Sequence, residues 1–249
     1  MPKIVYDGSL DPRTFKDVIG QTIIRLLESD LDVIYVDADL MSTIGTYKYH
    51  QEHPDRAINM GVSEANMMGV AGGLAASGFK PIAHTFGPFA SRRSFDQVFL
   101  SAGYAGNDIT VIGTDPGVCA AFNGGTHMPF EDVALYRAIP TATILDITDT
   151  VMFKTLLPQL IERPGVKYIR VGRKQNAKVY DEGSAFEVGK SIRLREGSDL
   201  TIIACGIMVH EALQAARILS EQGIHAEVLD MFTIKPLDVE GLLHSAKKT

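Results

Sequence analysis

A chain of 249 residues that is 45% hydrophobic and 22% charged has the composition of an ordinary globular protein, which excludes a disordered or collagen-like chain. With 24 Lys and Arg against 30 Asp and Glu, its formal net charge is −6, so we expect neither nucleic acid nor a membrane as partner. The two cysteines, Cys119 and Cys205, are too few for a disulfide framework and are typical of a reducing compartment. No signal peptide and no apolar run of about 20 residues is found, which predicts a cytoplasmic protein.

Residues 1–175 alternate between helical and strand-like patterns. An apolar stripe over residues 14–29 predicts a helix, and the β-branched run 32–37 predicts a buried strand. Further helices are predicted at 63–77, 89–102, 131–137 and 149–161, and further strands at 80–84, 109–113, 142–145 and 167–171. Strands and helices that alternate in this way indicate a parallel sheet with helices on both faces. We therefore predict an α/β domain over residues 1–175.

A change of composition follows that domain. Residues 176–184 lie in a stretch with few large apolar side chains, which predicts a linker. Beyond it, strands at 200–205 and 226–229 flank a helix at 209–222, and a last helix is predicted at 237–246. Because a domain of about 65 residues with so few strands is marginal alone, residues 185–249 are interpreted as a smaller α/β domain that is incomplete or completed by another chain.

Chemically reactive side chains are concentrated in four segments that follow predicted strands, namely residues 37–46, 59–66, 84–93 and 114–131. Ligands of open parallel sheets bind at the carboxyl ends of the strands. The longest segment, 114–131, is rich in glycine and small residues, and long irregular connections in compact domains are usually functional. The pattern alone therefore places a ligand site among these segments.

The same segments resemble the transketolase family, and five motifs carry that resemblance. The run Asn59-Met-Gly-Val-Ser-Glu-Ala-Asn-Met is similar to the helix-opening motif of the pyrimidine-binding domain of thiamine diphosphate enzymes. The others, in the family's order, are His84-Thr-Phe-Gly-Pro-Phe89, Arg93-Ser-Phe-Asp-Gln97, Asn123-Gly-Gly-Thr-His-Met-Pro129 and Ile169-Arg-Val-Gly-Arg173. The match covers residues 5–175, and the second unit resembles the start of the transketolase C-terminal domain. The resemblance is thus to the C-terminal portion of transketolase, with the thiamine diphosphate pyrimidine-binding fold.

This resemblance implies roles for particular residues. Glu64 would bind the aminopyrimidine of thiamine diphosphate and activate the cofactor, and His127 would be the second catalytic residue. The cofactor-binding set would be completed by Phe86, Phe89 and Arg92. The substrate-binding residues would be Arg173, with Arg170 as an alternative, together with Asn123, Ser42, Thr43 and His84.

Structural alternatives exist for these residues. Glu64 could favour the positive end of a helix dipole, and Phe86 and Phe89 could be ordinary core residues. His127 could be structural, and Arg173 could form a salt bridge at the rim. Four residues depart from those that are usual in the family: Arg92 replaces Tyr, Asp115 replaces His, Phe122 replaces an acidic residue and Asn123 replaces Asp.

One expected motif is missing from the sequence. Thiamine diphosphate enzymes hold Mg²⁺ and the diphosphate through a Gly-Asp-Gly motif with a later Asn, and no Gly-Asp-Gly occurs in the 249 residues. The resemblance therefore implies a separate diphosphate-binding N-terminal subunit that supplies the Mg²⁺ ligands, in a homodimer or heterotetramer.

The function implied is that of the C-terminal subunit of a split transketolase, which moves a two-carbon ketol unit from a ketose to an aldose, both anionic or phosphorylated sugars. Alternatives are a deoxyxylulose-phosphate synthase-like chain, the β subunit of a 2-oxoacid dehydrogenase, and a non-catalytic subunit that retains the fold.

Overall fold

Two β-sheets organise the computed structural model, which describes residues 2–249. The strands are β1 (Val33–Asp37), β2 (Ala57–Asn59), β3 (Lys80–Phe86), β4 (Ile109–Thr114), β5 (Thr143–Asp146), β6 (Val166–Val171), β7 (Ile192–Arg195), β8 (Leu200–Ala204), β9 (Ala226–Asp230) and β10 (Thr233–Lys235). The helices are α1 (Phe15–Ser29), α2 (Met41–Ile44), α3 (Tyr47–Glu52), α4 (Glu64–Ala76), α5 (Gly87–Ala90), α6 (Phe95–Val98), α7 (Asp132–Arg137), α8 (Thr150–Ile161), α9 (Met208–Glu221) and α10 (Val239–Lys248). Among the helices of residues 2–249, none has the length and apolar character needed to cross a membrane.

The larger sheet has seven strands in the order β10-β5-β6-β4-β3-β1-β2, and all its pairs are parallel except that of β10 with β5. Successive residues of a strand point to opposite faces. In β1, Val33 and Tyr35 accordingly join one apolar core, with α1 and α8, whereas Ile34 and Val36 join another, with α4 and α7. The predicted parallel sheet with helices on both faces is confirmed.

The smaller sheet has the order β7-β9-β8, with β8 parallel and β7 antiparallel to β9. One face is covered by α9, whose Val209, Leu213 and Ala216 are buried. The predicted second, smaller α/β unit is therefore present. However, β10 leaves this unit and pairs with β5 of the larger sheet, with Thr233 opposite Leu145. A three-residue strand carries too little pattern to be predicted from sequence, and the short β2 and β7 were missed as well.

The segment predicted as a linker, residues 176–184, is packed against the larger sheet's layer of helices. Ala177, Val179 and Tyr180 are buried. The Asp149 carboxylate caps α8 through the Met152 N–H and also accepts hydrogen bonds from the backbone N–H groups of Val179 and Tyr180, at 3.0 and 2.7 Å. The division of the chain into residues 1–175, 176–184 and 185–249 stays a prediction. Residues 176–184, however, are held by these contacts and are not a free linker.

The continuous helix predicted over residues 89–102 is wrong. The chain forms α5, a break, α6 and then a π-helical turn, Phe99–Tyr104. At the break, the hydroxyls of Ser91 and Ser94 donate to the backbone carbonyls of Gly87 and Phe89, both at 2.7 Å. Serine side chains that bond to the backbone in this way compete with helix formation. Beside this break, Arg92 reaches Glu131 and Arg93 reaches Glu64.

Candidate active site

Glu64 is the first residue of α4 and is only 3% exposed, although it carries a carboxylate. Its two oxygens lie 3.0 and 3.1 Å from Nη1 of Arg93, which forms a salt bridge with it. A buried carboxylate requires such partners. Arg93 lies in a recognised motif, but its role could not be predicted, because its partner lies 29 residues earlier in the chain.

Arg93 also contacts an aromatic ring of the site. Its guanidinium carbon lies 4.0 Å from the centre of the Phe89 ring, in cation–π geometry. The Arg93 side chain is 47% exposed, whereas that of Glu64 is buried. Arg93 therefore lies between Glu64 and the outside of the protein.

Phe86, Phe89 and His127 form an aromatic cluster beside this pair. The centre of the His127 ring lies 5.5 Å from that of Phe86 and 5.2 Å from that of Phe89, both edge-to-face. The loop that carries His127 approaches α5 closely, because a Cβ on Gly87 would lie 2.7 Å from Cγ of Pro129. Glycine at this position is therefore needed for the contact.

Arg92 extends toward the same loop. Its Nη1 donates to the Glu131 carboxylate at 2.9 Å, and its Nη2 donates to the carbonyls of Gly125 and Thr126, both at 3.0 Å. The predicted contact of Arg92 with the cofactor stays a prediction, since the structure shows its guanidinium bound to the protein itself.

Arg173 follows β6 and also contacts Phe86. Its guanidinium is 4.6 Å from the centre of the Phe86 ring, and its Nε and Nη2 lie 2.8 and 2.6 Å from Oδ2 of Asp115. Asp115 is buried and has a φ of +60°, an uncommon conformation for a residue other than glycine. The cavity beside this pair, about 340 Å³ in volume, is also lined by Lys174 and His210. The alternative Arg170 lies inside the protein, in salt bridges with Asp132 and Asp146.

His84 lies within the larger sheet. Its side chain is fully buried, with Nδ1 2.7 Å from Oδ2 of Asp37 and 3.2 Å from the Tyr35 hydroxyl. The predicted strand ended at His84, but β3 continues to Phe86, so His84 lies within the sheet. The contact of His84 with a substrate stays a prediction.

The remaining predicted residues lie near the edge of the sheet. Ser42 is exposed on α2, whereas the Thr43 hydroxyl donates to the Leu40 carbonyl at 2.7 Å. Asn123 is exposed in a short 3₁₀ turn, Ala121–Asn123, beside the exposed Phe122. Their contact with a substrate stays a prediction.

The site fits one end of thiamine diphosphate. A buried carboxylate beside aromatic rings offers a hydrogen-bonding group and apolar walls for an aminopyrimidine ring. Within residues 2–249, no three His, Cys, Asp or Glu side chains are grouped as a metal site. Burial raises the pKa of the Cys119 thiol, which disfavours the reactive thiolate.

The fold and the site together define a subunit that carries the pyrimidine-binding half of a cofactor site. The chain belongs to the transketolase family: the family "Transketolase, pyrimidine binding domain" matches residues 11–178, and "Transketolase, C-terminal domain" matches residues 189–249. The resemblance to the C-terminal portion of transketolase, as in split transketolases, is confirmed.

Relatives and solved structures agree with this assignment. The chain is 44% identical to the 6-deoxy-6-sulfo-D-fructose transketolase subunit of a Clostridium strain, over 98% of this chain and 76% of the relative. It is 34% identical to an apulose-4-phosphate transketolase subunit of Phocaeicola vulgatus, over 92% of this chain and 73% of the relative. A solved structure, described as a split gene transketolase in an inactive β4 tetramer, matches with a TM-score of 0.86 and 35% identity, over 95% of this chain and 77% of that one.

Proposed function

We propose that this chain is the pyrimidine-binding subunit of a split, thiamine diphosphate-dependent transketolase that moves a two-carbon ketol unit from a ketose to an aldose. The observation that carries the proposal is the buried carboxylate of Glu64, which is linked through Arg93 to the cluster of Phe86, Phe89 and His127. In the family's pattern, a glutamate at this position activates the cofactor. The retention of Glu64 and of the two phenylalanines argues against a non-catalytic subunit.

When bound, thiamine diphosphate supplies the nucleophilic carbon and the electron sink. Glu64 would hold and move a proton at N1′ of the aminopyrimidine, because its carboxylate has lone pairs beyond those that face Nη1 of Arg93. Phe86 and Phe89 would orient the ring. Since Nδ1 of His127 lies 2.9 Å from the Thr126 hydroxyl, Nε2 is the nitrogen that would hold or move a proton at a substrate hydroxyl.

An anionic sugar is the proposed substrate. Arg173 offers a planar guanidinium of the kind that binds phosphate and sulfonate oxygens. Two relatives carry names that refer to a sulfonated sugar and to a sugar phosphate, which supports an anionic substrate here. Because Asp115 occupies Nε and Nη2 of Arg173, the substrate would share that guanidinium with a carboxylate.

A second subunit is part of the proposal. It would carry the Gly-Asp-Gly motif that this sequence lacks and would provide the ligands of Mg²⁺ and of the diphosphate. We further propose a cytoplasmic enzyme in which two copies of this chain form a homodimer or, with two partner subunits, a heterotetramer. The tetrameric state of the split-gene structure supports an oligomer.

Reconstitution tests the function. The chain is mixed with a Gly-Asp-Gly-bearing transketolase subunit of the same genome, Mg²⁺ and thiamine diphosphate, and is given an anionic ketose with an aldose acceptor. Mass spectrometry should detect the acceptor lengthened by two carbons. Product from pyruvate but not from the ketose would instead indicate a deoxyxylulose-phosphate synthase-like or 2-oxoacid dehydrogenase chain, and a cofactor-bound complex without turnover would indicate a non-catalytic subunit.

A further inference from the structure

We infer that Arg92 is a positioning residue that fixes the loop bearing His127 against the aromatic cluster. Its guanidinium binds the loop on both sides of this histidine, through the carbonyls of Gly125 and Thr126 before it and the carboxylate of Glu131 after it. The assignment differs from a cofactor contact, because these bonds direct the guanidinium to the protein. The kinetic part of the inference rests on the proposed function, and the structural part does not.

The loop needs such a restraint. Residues 121–123, 125, 126 and 130 are exposed, so little apolar burial holds this segment in place. Pro129 is buried against α5, which fixes the far end of the loop. On the preceding side of His127, Arg92 donates charge-assisted bonds to the carbonyls of Gly125 and Thr126. Together the two contacts fix the short stretch that contains the imidazole.

The geometry of the guanidinium explains why this residue is an arginine. The planar guanidinium donates from Nη1 and Nη2 to acceptors in different directions. A lysine at this position has a single side-chain nitrogen, which could not donate hydrogen bonds to both the two carbonyls and the Glu131 carboxylate with the same geometry. Displacement of a catalytic group by about 1 Å can lower a rate by roughly 100-fold. Arg92 would therefore affect turnover without touching the substrate.

The structural test uses the purified chain alone. Its seven histidines are observed by ¹H–¹³C NMR of the imidazole Cε1–H groups, and His127→Asn identifies the His127 resonance. Ring currents from Phe86 and Phe89 should shift this resonance away from those of exposed histidines. In Arg92→Gln the His127 resonance should move toward the exposed value, and Arg92→Lys should restore little of the shift. An unchanged His127 resonance in Arg92→Gln would overturn the inference.

A matched control comes from Arg193, which bonds to Glu196 and Glu227 and is 36% exposed, as against 39% for Arg92. Arg193→Gln should leave the His127 resonance in place. The remaining histidines report whether each variant has folded. Movement of His127 in the Arg193 variant as well would show a general loss of structure and contradict a specific role for Arg92.

The kinetic test uses the enzyme assembled with its partner subunit. Arg92→Gln should lower kcat by about 10- to 100-fold, while the Kd of thiamine diphosphate, measured by calorimetry, changes by less than about twofold. A large rise in Kd with an unmoved His127 resonance would assign Arg92 to the cofactor instead and overturn the inference. If the unsubstituted assembly transfers no ketol unit, the proposed function fails, but the NMR experiment still decides the role of Arg92.

Discussion

The ion pair of Glu64 with Arg93 gives the most direct stability prediction. Arg93→Gln removes the charge that faces a carboxylate with 3% exposure. A hydrogen bond to a charged group contributes about 1.5–3 kcal/mol to stability. Because the Arg93 side chain is 47% exposed, solvent screening reduces the pair's contribution to about 1–2 kcal/mol. Loss of the cation–π contact with Phe89 adds about 0.5–1 kcal/mol.

A double-mutant cycle separates these contributions. The free energy of unfolding in urea is measured for the chain, Arg93→Gln, Glu64→Gln and the double variant. We expect Arg93→Gln to destabilise the protein by about 1.5–3 kcal/mol and the coupling energy to be about 1–2 kcal/mol. The control is Lys48 with Glu52, an exposed pair separated by 3.8 Å, for which the coupling should be below about 0.5 kcal/mol. A coupling energy for Glu64 and Arg93 as small as that of the control would refute the reasoning.

Four further predictions concern activity, substrate binding, pH and assembly. Glu64→Ala should lower turnover of the assembled enzyme by orders of magnitude while circular dichroism stays unchanged, and Glu64→Gln should retain some cofactor binding; near-normal turnover of the alanine variant would remove Glu64 from the mechanism. Arg173→Ala should raise KM for an anionic sugar by about 10- to 100-fold through loss of a charge-assisted hydrogen bond of roughly 1.5–3 kcal/mol, but an equal rise for a neutral analogue would indicate a structural arginine. Burial raises the pKa of Asp230 to about 7 from 3.8, so the stability that its protonated form contributes is complete below about pH 4 and is lost as the pH rises toward 7. In urea unfolding, the free energy of unfolding of Asp230→Asn relative to the unsubstituted chain should therefore be higher at pH 8 than at pH 5. An equal difference at the two pH values would contradict this. The chain alone should bind thiamine diphosphate very weakly and transfer no ketol unit, and calorimetric detection of micromolar, Mg²⁺-dependent binding without a partner would show that it carries more than half of the site.

The parts of the fold that follow from local pattern could be predicted from the sequence. The apolar run of β1 and the N-terminal serine and small residues of α4 are properties of consecutive residues, and both elements begin within one residue of their predicted starts. The short β10 could not be predicted, because its pairing with β5 is decided by packing between distant segments.

For the candidate site, the sequence indicated those residues that lie in recognisable motifs. The motifs indicated Glu64, Phe86, Phe89 and His127, and the structure brings the three aromatic side chains into one cluster. Arg93 was missed since no local signal distinguishes an arginine that pairs with a buried carboxylate from one that faces water. The burial of His84 was not predicted, because two further residues extend its strand and place the imidazole in the interior.

The pairing of β10 with β5 determines where this protein can be divided. A cut within residues 176–184 would appear natural, since the two family matches end and begin beside it. Yet the first fragment would lose its outermost strand and expose the backbone of β5 as a new edge, a known route to aggregation. A cut before Val179 would also separate the Asp149 carboxylate from the backbone N–H groups of Val179 and Tyr180 that it binds. If the segment after residue 184 is exchanged between relatives, its β10 must therefore fit the β5 of the recipient. Because β10 joins the two parts of the chain, we also expect the two sheets to unfold in a single thermal transition.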